Sequence, residues 1–280
     1  MADLEMQNER SEDMIESMQN RHIKRLVGLQ KSKKNRNKEK AFVVEGIKIV
    51  EEIPKDWEID SIFVASSFKK ENPSFLDRIS VHRHLSENEV IEVSDKIFNA
   101  ISDTMTPQGV LAICRQKSFS LEKVLTNENG FYIILEDLQD PGNLGTIIRT
   151  GDALGADGII LTKGSVDLYN PKVIRSTMGS IFHLPILTDA DINDLLNELR
   201  IRNISTLSAH LKGEKYPYQC DLRKNIALII GNEANGIKDS TAQKTDLLVK
   251  IPMPGKAESL NAAMAAGILM YEVLRQRSNV

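Results

Sequence analysis

Three stretches of the chain place glycine, asparagine and charged residues together directly after apolar runs, a pattern suited to binding a ligand through loops. The first is EDLQDPGNLGTIIRTGDALG, residues 136–155. Asp140-Pro141-Gly142 is a turn signal, and Asn143 can cap the helix that follows. At about 100° per residue, Leu144, Ile147, Ile148 and Gly151 share one face of that helix. Arg149 then points roughly opposite, toward a cleft or solvent; an isolated arginine there would otherwise serve in a surface ion pair. The second stretch is IIGNEANGI, residues 229–237, where Gly231 and Gly236 bracket Asn232, Glu233 and Asn235. Ligands of α/β proteins bind beyond the carboxyl ends of strands, and glycine lets backbone approach a ligand closely. A tight strand-to-helix turn would use the same residues. The third is IPMPGKAESLNAAMAAG, residues 251–267. Pro252 and Pro254 stiffen the strand exit, and Ser259 is placed to cap the final helix. That helix is apolar or small almost all round from Leu260 to Tyr271, which predicts burial on more than one side, against its own sheet and a second subunit.

Phosphate-cradling motifs are absent. No G-x-G-x-x-G follows a strand, and Gly255-Lys256 fails as a P-loop because Lys250 holds the first glycine position and Ala257 the Ser/Thr position. His82 and His84 would share a strand face, but no further ligand can be named beside them, so no metal is expected. His183 and His210 read as structural.

The loops need strands and helices to carry them. FYIIL (131–135), GIILT (158–162), ISTLSA (204–209), IALII (226–230) and DLLVKI (246–251) read as strands, and 143–154, 170–180, 189–202 and 259–276 as helices. Short apolar strands alternating with helices predict a parallel sheet covered on both faces. Ahead of it, AFVVEGIKIVEEI, SIFVAS, NEVIEVSDKIFNAISD and GVLAICR imply a smaller α/β domain. The expected division is an acidic extension over 1–20, a first domain over 21–115, a linker over 116–130 and a second domain over 131–280.

At 280 residues, the length suits about two domains of ~150 residues. The net charge of −3 gives no overall nucleic-acid signal, but charge is uneven locally. Residues 1–20 carry −5, whereas residues 21–40 hold nine Lys/Arg against Glu39, a net of +8. The block is either a solvated arm or a phosphate-contacting element. Cys114 and Cys220 are far apart and suit reduced thiols. The longest apolar run, Ala262–Tyr271, has ten residues against the ~18 of a membrane span, and the polar, acidic start lacks a secretory pattern. A cytoplasmic protein without a membrane segment is expected.

At its three loops the sequence resembles the SpoU family of RNA ribose 2′-O-methyltransferases, within the SPOUT superfamily. The matching stretches are DPGNLGTIIRTGDALGADGIIL, LIIGNEANGI and IPMPGKAESLNAAMAAGILMYEVLR, in the family's order. FVVEG and SDTMTPQGVLAI resemble the ribosomal-protein-like substrate-binding domain often fused ahead of it. The resemblance spans about residues 21–280. It implies an α/β fold in which a small RNA-binding domain precedes a catalytic domain tied in a deep trefoil knot, S-adenosylmethionine as cofactor without metal, and a homodimer. Asn143, Arg149, Glu233, Ser259 and Asn261 match the family's active-site positions. Gly231, Ile251, Met253 and Leu260 would hold the cofactor, with Leu207 and Ala209 on its adenosine side. Gly151 stands where alanine is expected. The implied activity is methyl transfer to a ribose 2′-hydroxyl, in rRNA before tRNA. A non-catalytic RNA-binding protein of the same fold would have lost Arg149, Asn143 or the cofactor loops, and this chain keeps them.

Overall fold

The computed structural model describes residues 14–75, 78, 79 and 89–278; His82, His84 and most of the acidic segment fall outside them. The chain forms two compact units, Met1–Lys117 and Ser118–Val280.

In the first unit, β1 (Ala41–Glu45), β2 (Ile59–Ala65), β3 (Val90–Val93) and β4 (Val110–Arg115) form a sheet in the order β1-β4-β2-β3. β4 runs antiparallel to β1 and β2, while β3 is parallel to β2. The basic block is not a solvated arm. It folds into two helices, Arg21–Lys31 and Lys33–Glu39, whose N-termini are capped by Asn20 and Ser32. Ile23, Leu26 and Leu29 repeat at helical spacing and are fully buried. Arg36 is buried too, donating to the carbonyls of Leu29 at 2.6 Å and Gln30 at 3.0 Å. Arg25 bridges Glu39 and Asp60. Lys24, Lys31, Lys33, Lys34, Lys38 and Lys40 remain exposed.

The second unit holds a six-stranded sheet, all of its pairs parallel, in the order β10-β8-β9-β5-β6-β7. The strands are β5 (Phe131–Leu135), β6 (Gly158–Thr162), β7 (Ile186–Ala190), β8 (Ser205–Ala209), β9 (Ile226–Ile230) and β10 (Leu247–Val249). Every residue of β5, β6 and β9 is buried, as expected where helices cover both faces. Tyr132 and Ile134 pack with Leu195, Leu196 and Leu199 of the Ile192–Ile201 helix on one face. Ile133 and Ile159 meet Gly151 of the Pro141–Ala153 helix on the other. Val124 and Leu125, within the stretch read as a linker, are buried in this core.

Several local expectations are corrected. β7 was not foreseen: its sequence ILTDA is buried only at Ile186, so it lacks the apolar run that marked the other strands. It takes the residues assigned to the start of the next helix, which begins at Ile192 with Asp191 as its cap. The helix expected to reach 180 ends at Thr177, where Met178 turns left-handed. Asp140, not Asn143, caps the Pro141–Ala153 helix, because Pro141 takes the first helical position and the Asp140 carboxylate accepts from the Asn143 N–H at 2.8 Å. Asn261, not Ser259, caps the last helix, Ala262–Arg277.

One topological feature bears on the site. Val249 of β10 pairs with Ala209 of β8 on one side and with Lys215 on the other. β10 is therefore flanked on both sides by β8 and the excursion that leaves it. Cys114 and Cys220 are buried and not joined in a disulfide. Among the described residues, no helix is long and apolar enough to cross a membrane.

Two glycines of the Pro141–Ala153 helix make opposite demands. A Cβ on Gly145 would lie 2.3 Å from Ser176 Cβ and 2.9 Å from the Val173 carbonyl oxygen, so this residue sets the approach of the Pro171–Thr177 helix. A Cβ on Gly151 would press chiefly on Ile133 Cδ1, the movable end of a side chain. Gly145→Ala should lower stability by roughly 1–3 kcal/mol. Gly151→Ala should hold or raise it, since alanine gains about 1 kcal/mol over glycine inside a helix. Urea unfolding of the two variants checks the pair.

Candidate active site

β5 and β9 are neighbours in the sheet, so the loops leaving their carboxyl ends start side by side. Glu233 joins them. One carboxylate oxygen accepts from the Asp140 N–H at 2.8 Å and the Asn143 side-chain amide at 3.1 Å, and the other from the Gln139 N–H at 3.0 Å. Asn232 makes a second tie, donating to the Asp137 carbonyl at 2.9 Å while its side-chain oxygen accepts from the Ala234 and Asn235 N–H groups. The third loop enters through Asn261, whose side-chain amide donates to the Asn143 side-chain oxygen at 2.9 Å. Burial pushes the Glu233 carboxyl up, but hydrogen bonds from the Asp140 N–H, the Asn143 amide, the Gln139 N–H and its own N–H outweigh this and hold it below the usual glutamate range.

Asn143, Glu233 and Asn261 are thus brought into one network. Arg149 is exposed on the same helix as Asn143, and its guanidinium makes no hydrogen bond or ion pair with another described residue. The surface ion pair is therefore not formed, and neither Glu233 nor Asn143 orients the guanidinium. Ser259 is exposed and stands outside the network.

The residues read as cofactor-holding lie at the carboxyl edge of β8, β9 and β10. Leu207 is fully buried between Leu247 and Leu228, so its side chain belongs to the core. Ala209 ends β8 half-buried. Gly231 is demanded by the turn itself, since a Cβ there would lie 2.1 Å from the Gly236 carbonyl carbon and 2.2 Å from the Ile237 nitrogen. Ile251 and Met253 are half-buried, and Leu260 is exposed. From Ile251 to Leu260 the backbone makes no backbone hydrogen bond with any described residue. This run of unengaged donors and acceptors fits a polar ligand such as a nucleoside.

Reading the sequence by motif missed Glu136, Asp137 and Gln139. Glu136 is buried and accepts from the Thr241 hydroxyl at 2.7 Å and the Lys238 N–H at 3.1 Å, anchoring the far end of the Glu233 loop. Asp137 adopts a left-handed backbone, and its N–H donates to the Thr162 hydroxyl at 3.0 Å. The available signal was an acidic pair directly after the wholly apolar FYIIL strand. His183 pairs with Asp152, and His210 accepts from the Lys212 N–H. No group of three His, Cys, Asp or Glu able to hold a metal occurs among the described residues.

Residues 130–271 match the SpoU rRNA Methylase family, and residues 20–112 match the MRM3-like substrate binding domain. The 23S rRNA (guanosine(2553)-2′-O)-methyltransferase RlmP of Bacillus subtilis is 35% identical over 92% of this chain and 98% of its own length. The AdoMet-bound rRNA methyltransferase from Sinorhizobium meliloti superposes with a TM-score of 0.84 at 32% identity, covering 95% of this chain and 98% of that one. The SpoU methyltransferase AviRb from Streptomyces viridochromogenes, in complex with AdoMet, gives 0.81 at 27% identity over 92% and 99%.

Glu233→Gln keeps the shape but turns one acceptor into a donor facing donors. The folded carboxyl value is lowered, so its contribution to stability is present above the unfolded value, about 4.3, and is lost as pH falls through the lower folded value. The variant should have a lower urea midpoint than the wild type at pH 7, and the gap should close as the pH drops below that range.

Proposed function

The chain belongs to the SpoU rRNA methylase family, and on that premise we propose that it transfers a methyl group from S-adenosylmethionine to a ribose 2′-hydroxyl of ribosomal RNA. The observation that carries this reading is the Glu233–Asn143–Asn261 network beside the backbone-rich loop at 251–260. Bound S-adenosylmethionine supplies a methyl carbon activated by its sulfonium. Backbone groups near Gly231, Ile251, Met253 and Leu260 would hold it, and the end of β8 at Ala209 would line its adenosine side. When bound, it would present that carbon to the ribose 2′-oxygen, the carbon–sulfur pair leaving on sulfur and the hydroxyl proton passing to water or an RNA phosphate. The chain's task is largely alignment of these atoms, a positioning effect.

Arg149 is the residue assigned nearest to the oxygen. A guanidinium holds its proton too firmly to act as a base. Stabilising the developing oxyanion, or holding an RNA phosphate that takes the hydroxyl proton, suits it better, and with no partner among the described residues the planar fork is available. Asn143, Glu233 and Asn261 fix the loops around the reacting centre, and Ser259 lines the open side.

The first unit, through residues 21–115, serves as the RNA-binding domain. Its six exposed lysines between Lys24 and Lys40 are suited to phosphate, which positions a strand, while the 2′-hydroxyl separates RNA from DNA. A trefoil knot is supported by the enclosure of β10 between β8 and Lys215. A homodimer is supported by Met264, Ile268 and Tyr271, which form an exposed apolar stripe at helical spacing on the last helix. A ribosomal RNA substrate supports a cytoplasmic location.

Arg149→Ala should abolish methyl transfer to unmodified 23S rRNA, and Arg149→Lys should lose at least 100-fold in turnover because the fork is gone while the charge remains. Calorimetry should show unchanged S-adenosylmethionine affinity in both, without added metal. Near wild-type turnover by Arg149→Ala would remove this role. Ile268→Glu should convert the dimer to a monomer in sedimentation velocity, since it places an unpaired charge in the contact. A wild type that sediments as a monomer would refute the dimer.

A further inference from the structure

The excursion between β8 and β9 carries a feature that the methyl-transfer site does not use. Tyr216 and Tyr218 stack with ring centroids 5.3 Å apart and planes 22° from parallel. Tyr218 is 58% exposed, a large aromatic ring left open to solvent beside a second one. The Lys250 ammonium lies 5.6 Å from the centroid of the Tyr216 ring. Lys212 and Lys215 are exposed on the same excursion. The acidic groups nearby are Glu214, which is exposed, and Asp221, which is occupied by Arg223 at 2.8 Å.

The rings are held by backbone, not by chance contact. Lys215 pairs with β10, its carbonyl accepting from the Lys250 N–H at 2.9 Å. Gly213 is buried with its Cα so close to β10 that a Cβ would lie 2.6 Å from the Val249 carbonyl carbon. Between the rings, Pro217 is buried, the Tyr216 N–H donates to the Gln219 side chain at 2.9 Å, and the Gln219 N–H returns to the Tyr216 carbonyl at 2.9 Å. Beyond them the Leu222 N–H donates to Gln276 of the last helix at 2.9 Å. A stacked pair on a pre-set backbone loses little conformational entropy on binding.

We propose that the Tyr216–Tyr218 stack, flanked by Lys212, Lys215 and Lys250, is a platform on which an unpaired nucleobase of the RNA substrate stacks while the lysines contact its phosphates. Aromatic rings interleaved with cations are what a single strand requires, because every base has a π face and every linkage a charge. The position suits the reaction: Lys250 directly precedes Ile251, where the cofactor-holding loop begins, so the platform adjoins that loop. The inference rests on the rRNA methyl-transfer reading and adds where the strand lies and that it is unpaired.

The test uses the full chain and a mixed-sequence 20-nucleotide single-stranded RNA carrying 5-bromouridine. Ultraviolet crosslinking followed by peptide mapping should place adducts on Tyr218. Tyr218→Ala and Tyr218→Leu should each weaken binding of this RNA by about 5- to 100-fold, and Tyr218→Phe by less than threefold, since stacking needs the ring and not the hydroxyl. S-adenosylmethionine affinity and sedimentation should be unchanged in all three. Equal RNA affinity for Tyr218→Leu and wild type, or a lost dimer in Tyr218→Ala, would overturn the platform; the latter would make the rings part of a protein contact. These outcomes leave the methyl-transfer reading standing if wild type still methylates 23S rRNA, whereas a folded wild type that neither binds S-adenosylmethionine nor methylates would refute that reading itself.

Discussion

The Glu233 carboxylate accepts from the consecutive N–H groups of Gln139 and Asp140 and from the Asn143 amide, and the relative placement of all three loops depends on it. The bonds form a chain with one direction. N–H groups at the start of the last helix donate to the Asn261 side-chain oxygen, the Asn261 amide donates to Asn143, and the Asn143 amide donates to Glu233. Each amide is polarised by its donor and leans on the next acceptor, and the series ends on a negative charge, an arrangement in which hydrogen bonds strengthen one another. Reversing either asparagine amide would oppose donor to donor. The carboxylate thus sets side-chain orientation as well as loop position, and its lowered proton affinity is the thermodynamic counterpart of the same bonds.

What could be read in advance follows the physics of burial. FYIIL, GIILT and IALII are strands buried on both faces, and a run of five apolar residues leaves little ambiguity. β7 escaped because it sits at the sheet edge with a largely polar sequence, so its pairing with β6 leaves no trace in its own composition. The caps were misjudged for a local reason: at both helices two candidate side chains lie within three residues, and backbone geometry chooses between them. Asn143, Glu233 and Asn261 were legible as polar positions, but their joining was not, because it spans 90 and 118 residues of sequence.

The basic block shows why charge counts mislead. Its +8 leaves a solvated arm and a phosphate-contacting element both open, yet the helical spacing of Ile23, Leu26 and Leu29 buries one face, and Arg25 and Arg36 are tied within the fold. Burial and ion pairing also show that these residues are structural, so removing the segment would unbury the apolar face along with the cations. The charge available to a phosphate is carried by the exposed lysines, which face outward because the buried face is occupied by apolar side chains.

Arg149 stands apart from this order. The Glu233 chain is complete without a substrate, whereas the guanidinium has no protein partner among the described residues. An exposed, unpaired arginine carries little desolvation cost, so nothing in the fold opposes its freedom. Two parts of one helix therefore differ in kind: its N-terminus is fixed by Asp140 and Glu233, and the following turns offer an exposed planar cation. In the proposed reaction an RNA phosphate or the developing 2′-oxyanion is the anion that orders the fork. Only the part of that attraction that grows as charge builds on the 2′-oxygen speeds the reaction, while holding a phosphate already in the seated complex contributes binding.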